Sequence, residues 1–128
     1  MVIILSVEGF GKPKVIHYTN VERVEVRNAE RTWIRVLISK KDGAPTYAMR
    51  IFEIEPDGHI PLHDHPWEHE IFVLEGKLRI RIGDEVYEVS DGTAIYIPPN
   101  IPHEYWNVGD GILRFICTIP HKPTAPSQ

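Results

Sequence analysis

One cysteine, Cys117, is the whole thiol content of the chain, so no internal disulfide can brace the fold. Positive charge is scarce as well: 14 Lys and Arg stand against 18 Asp and Glu, for a net charge of -4. A nucleic-acid binder carries a basic excess on one face, and an anionic membrane attracts the same excess, so neither is an expected partner. No long apolar run occurs. The N-terminal one, Val2 to Leu5, has no basic flank and is far shorter than a signal-peptide core or a membrane span, which leads to the expectation of a cytoplasmic protein. Helical periodicity is missing too: no segment carries apolar residues at i, i+3, i+4 and i+7 over three turns without a Gly or Pro interrupting it.

What remains is a β protein. The 128 residues suit a single domain, and a hydrophobic fraction of 42% with 25% charged residues excludes wholesale disorder. Eleven prolines and nine glycines favour short strands joined by turns. Strands are expected at Val21–Val26, Trp33–Ser39, Thr46–Glu55, Glu70–Glu75, Lys77–Ile82, Glu85–Val89, Thr93–Ile97 and Ile112–Ile119, each bounded by Gly, Pro, Asn or Asp. Eight strands come close to a two-sheet roll or a small barrel. The clearest pairing is the hairpin around Gly83-Asp84, whose two-residue loop sets Ile82 opposite Glu85, Arg79 opposite Glu88 on the wet face, and Ile80 opposite Tyr87 on the other. Val2–Val7 reads as a further strand, detached by the Gly9–Lys14 stretch and free to pair with an edge. Residues 1–14 are thus expected to form an arm, 15–120 the barrel and 121–128 an irregular tail.

Chemistry concentrates in the histidines. Three of the seven fall in the stretch His63-Asp64-His65-Pro66-Trp67-Glu68-His69, and His63 and His65 share strand parity, so that both imidazoles project from one face. A fourth, His103, follows the rigid turn Pro98-Pro99-Asn100-Ile101-Pro102. Neutral imidazole is the commonest protein ligand for first-row divalent metals, and a bend held by prolines keeps a ligand near its bonding distance of about 2.0–2.2 Å. The plainer reading of these residues is a histidine-rich surface turn. His17, His59 and His121 sit in turn or tail contexts and read as ordinary exposed side chains, as do Glu68 and Glu104.

The two stretches resemble the paired motifs of the cupin superfamily. In the first, a glycine precedes H-x-H and another closes the motif, here Gly58, His63, His65 and Gly76. The second, G-x5-P-x-G-x2-H-x3-N, is matched by Gly92, Pro98, His103 and Asn107, with Asn100 in place of the middle glycine. Asn tolerates the left-handed conformation better than most residues, so the turn is expected to survive. The family places a glutamate ligand with three or four residues between it and the second histidine and six between it and the closing glycine. Both counts fall on His69, whereas Glu70 satisfies only one of them and has the parity to point away from the metal. The resemblance thus implies a four-histidine site of His63, His65, His69 and His103, as in a subgroup of small single-domain cupins that hold manganese. It also implies an all-β fold, a double-stranded β-helix or jelly-roll cupin barrel of antiparallel strands, and a homodimer through edge strands.

Four imidazoles leave the charge of one divalent transition metal uncompensated. An octahedral ion would keep two open positions for oxygen or a chelating substrate, whereas zinc could close a tetrahedron. Ligand chemistry alone favours copper, nickel or zinc; manganese or iron is what the resemblance implies. Arg50, Phe52, Phe115 and Cys117 have parity to line the interior, with core packing the plainer role for the phenylalanines and a small buried hydrophobe that for Cys117. Trp67 is expected either to wall the pocket or to cap the barrel edge. No residue stands out as a general base, unless Glu70 or Tyr96 turns inward. The leading expectation is a metal-dependent oxidoreductase of dioxygenase type acting on a small organic molecule. A metal-bearing ligand-binding or sensor domain and a sugar or keto-acid isomerase are the alternatives.

Overall fold

The computed structural model describes residues 9–121. The expected Val2–Val7 strand, and the tail beyond His121, lie outside the described residues. Nine strands follow one another: β1 (Val24–Glu25), β2 (Glu30–Ile38), β3 (Tyr47–His63), β4 (His69–Glu75), β5 (Lys77–Ile82), β6 (Glu85–Ser90), β7 (Ala94–Ile97), β8 (His103–Asn107) and β9 (Leu113–Pro120). All pairings are antiparallel, in the order β6-β5-β8-β3-β9-β4-β7 with β2 joined to β3 and β1 to β2, and the sheet curls into a jelly-roll barrel. Each expected strand is present within a few residues at its ends, except that β1 shrinks to two residues and β3 runs far past Glu55. β8 was not expected.

β3 is the spine of the fold. Its first half lies between β2 and β9, with Phe52 opposite both Ile34 and Phe115; its second half pairs with β8, bringing His63 opposite His103. The strand passes through Pro56-Asp57-Gly58, a sequence that reads as a break, because register shifts absorb it and Asp57 takes a left-handed φ of 69°. Gly58 is required there: a Cβ would lie 2.4 Å from Ile54 Cγ2.

The β5–β6 hairpin has the expected register, and Arg79 bonds Glu88 at 2.6 Å. Ile80 is buried as expected, but Tyr87 opposite it is 47% exposed, because β6 is an edge strand whose faces stay uncovered. The core gathers Ile54, Val73, Leu78, Ile80, Ile97, Leu113 and Phe115, all essentially inaccessible, and continues into Tyr105 and Cys117. Asn107 closes β8 by donating to Ile54 O at 2.7 Å and Gly111 O at 2.9 Å while accepting from the Gly109 amide at 2.9 Å.

Candidate metal centre

Three elements deliver the histidines. His63 ends β3, His103 opens β8 directly opposite, and His69 opens β4, where His69, Ile71 and Val73 face inward and Glu70, Phe72 and Leu74 outward. His63 needs a correction to its aim. Counted from inward-facing Ile60, plain alternation would send it out; the bulge between Ile60 and His63 adds one residue and returns it to the interior. His65 lies in the following loop, whose carbonyl at position 65 accepts from the Asn100 amide at 2.6 Å. Asn100 has a φ of 68°, the left-handed conformation expected where the motif has glycine.

The donor nitrogens of His63, His65 and His103 lie within 4.8 Å of one another, a group able to hold a metal ion. His69 is not part of that group, although its ring centroid is 4.9 Å from that of His103 and 5.1 Å from that of His65. Hydrogen bonds fix the tautomers. Nδ1 of His63 is 2.7 Å from Pro61 O and Nδ1 of His103 is 2.8 Å from Ile101 O; a carbonyl only accepts, so Nδ1 donates and Nε2 carries the lone pair. His69 differs. Its Nδ1 meets the Cys117 sulfur at 3.1 Å. Nε2 of His69 and of His103 is buried without a hydrogen-bond partner, an arrangement that costs roughly 1–3 kcal/mol per unmet group unless something binds there.

Burial disfavours protonation of three of the rings, those of His65, His69 and His103. Burial, reinforced by His63, His103 and Arg50, lowers His65 to about 4. Burial, with His103 and Arg50 behind it, lowers His69 to about 3. Burial also lowers His103, against the Ile101 carbonyl that favours its protonation. Neutral imidazoles with free Nε2 lone pairs and borderline softness fit a divalent transition metal. Burial raises the Cys117 thiol despite Arg50, so it stays protonated, as a small buried group would.

Beside the histidines lies a cavity of about 380 Å³. Arg50, Phe52, Phe115 and Cys117 line it, together with Tyr105, which shares the parity of His103 on β8. Phe52, Phe115 and Tyr105 form a continuous stack, with centroids 5.4 and 5.5 Å apart. Trp67 does not line the cavity; it lies flat on His65, ring centroids 4.7 Å apart and planes 4° off parallel. Glu70 and Tyr96 face the outside, so neither turns inward as a base. His59 and Glu104, expected to be ordinary exposed residues, instead pair at 2.6 Å with His59 stacked on Trp106, because β8 brings them together across β3.

Residues 50–119 match the Cupin domain family. An uncharacterised protein of Methanocaldococcus jannaschii, MJ1618, is 40% identical over 57 residues, 44% of this chain and 46% of that protein, so the match spans about half the length of that relative. The polyketide synthase CurC of Streptomyces cyaneus is 26% identical over 117 residues, 90% of this chain and 73% of its own. Among solved structures, the polyketide cyclase RemF of Streptomyces resistomycificus superposes with a TM-score of 0.80 at 36% identity, covering 88% of this chain and 82% of the other.

Proposed function

The chain belongs to the cupin domain family, and from that premise we propose that it is a mononuclear metal enzyme acting on a small enolisable molecule of the polyketide class. His63, His65, His69 and His103 are its proposed ligands, with manganese or iron as the metal. The observation that carries this reading is the pair of buried, unpartnered Nε2 atoms on His69 and His103 beside the His63–His65 pair. When bound, a divalent ion supplies Lewis acidity to neighbouring oxygens of a substrate. The chain's own residues do the rest. The stack of Phe52, Phe115 and Tyr105 accepts a planar apolar body and excludes water. Among the described residues no carboxylate lines the cavity, so the substrate must release its proton readily, as a methylene between two carbonyls does.

The relatives named as a polyketide cyclase and a polyketide synthase support ring closure as the reaction. An intramolecular aldol step moves one proton from carbon to the acceptor carbonyl oxygen and makes one carbon–carbon bond, with no net oxidation; later loss of water restores conjugation. Dioxygenase-type oxidation is the second reading, favoured by a cavity whose lining offers no carboxylate base. Both are tested by elemental analysis of the purified protein, followed by incubation with linear 1,3-diketones and an aromatic polyketide panel while oxygen uptake and product mass are recorded. Ring closure predicts isomerised or dehydrated product without oxygen uptake, and oxygenation predicts uptake with oxygen added to the product. Stoichiometric metal with neither outcome leaves a ligand-binding domain; no metal at all overturns the reading. A homodimer is the proposed assembly, with exposed Tyr47, Phe72 and Tyr96 as apolar surface, and light scattering from a monomer at micromolar concentration would overturn it.

A further inference from the structure

Arg50 stands apart from the other part-buried arginines. Arg35 and Arg114 reach the carboxylate of Glu53, at 3.3 and 2.8 Å. Arg50 reaches no carboxylate among the described residues. Its Nη2 donates to the Cys117 sulfur at 3.0 Å, a weak acceptor, and its Nε is buried without a partner. The guanidinium lies over the Phe52 ring at 5.0 Å from the centroid and forms part of the cavity wall that also carries His63, His65 and His69. A planar fork of five donors, held by an aromatic face and largely unused, is thus turned to a cavity whose lining holds no carboxylate. No carboxylate lines the cavity, so no opposite charge there balances the guanidinium, and a bound divalent ion would add to the imbalance.

We propose that Arg50 is an anion anchor: the cavity takes substrates that carry an ionised carboxylate or enolate on a planar apolar body, and the guanidinium binds that oxygen pair while the aromatic stack holds the body. The anchor deepens the metal-enzyme reading by naming the charge of the substrate, and it rests on that reading only for its consequence in turnover. Charge-assisted bonds to a guanidinium are stronger than neutral ones, and the fork suits two oxygens at once.

The test compares 2-naphthoate with 2-naphthamide, which share the ring body and differ in charge, by calorimetry on the full chain both as purified and after chelation. Naphthoate is expected to bind about tenfold or more tightly than the amide in both preparations. Arg50→Met should abolish that preference while leaving amide binding in place, and Arg50→Lys should retain part of it. Arg50→Gln is read the same way should the methionine variant not fold. Equal affinity for the two probes in the unaltered chain overturns the anchor, as does a naphthoate preference that survives in a folded Arg50→Met protein. An Arg50-dependent preference in a chain that holds no metal upholds the anchor while sinking the metal enzyme; full metal loading without any preference does the reverse.

Discussion

The Nδ1 partners of the histidines differ in a way that sets their individual sensitivities. His63 and His103 lean on backbone carbonyls, which no substitution removes, but His69 leans on the Cys117 side chain. Loss of a group that orients a ligand typically costs 10–100-fold in metal affinity. Cys117→Ala should therefore weaken metal binding by roughly that factor, and Cys117→Ser, which restores an acceptor, by much less; a competitive chelator titration measures both. His103→Ala, by contrast, removes a proposed ligand itself, and metal content should fall far below one ion per chain in elemental analysis. The grouping of His63, His65 and His103 was legible because each pair of motif positions constrains the next. Tyr105 was not picked out, since an aromatic in a short segment between prolines and Gly109 has no periodicity of its own to reveal it. The Cys117 contact was equally hidden, because 48 residues separate it from His69.

Among the elements, the hairpin and the β4 alternation could be read directly, because local turn chemistry and a period of two determine them. β8 could not, because its five residues are fixed by pairing with β3 and β5 rather than by composition. The reach of β3 past Glu55 was hidden for the opposite reason: Pro56 and Gly58 carry strong local signals for a break, and pairing with β2 and β8 overrides them. Asn107 is where β8 is tied down. Its three hydrogen bonds join β3, β8 and the loop before β9, and Asn107→Ala would leave two carbonyls and an amide short of partners. The expected cost is about 2–4 kcal/mol, read from chemical denaturation. Asn107→Asp should be no milder, since it sets a carboxylate against two carbonyl oxygens.

For the molecule as a whole, acid is the natural stress. His65, His69 and His103 titrate lower in the folded chain than the 6.5 of a free imidazole, so the unfolded chain takes up protons first as pH falls. Stability of the metal-free protein should be flat between about pH 7 and 8 and decline below about 6.5, continuing to about 3 as His65 and then His69 accept their protons. His69, only 5% exposed, contributes a slope of up to about 1.4 kcal/mol per pH unit in that window. Glu53 adds a loss of the same sign at lower pH: burial alone would raise its carboxyl, but Arg114 and Arg35 hold it below the ordinary range. Melting temperatures of chelated protein from pH 8 to 4 check the profile, and a rise on acidification would contradict it. A single strand, β3, bears Arg50 and Phe52 on even positions and, beyond the bulge, His63 on an odd one. Trimming one residue at Pro61 or Leu62 would spare every ligand in the gene and still turn an imidazole to solvent. Survival of the motif through evolution is therefore no guarantee that the centre survives with it; odd and even must be counted as well.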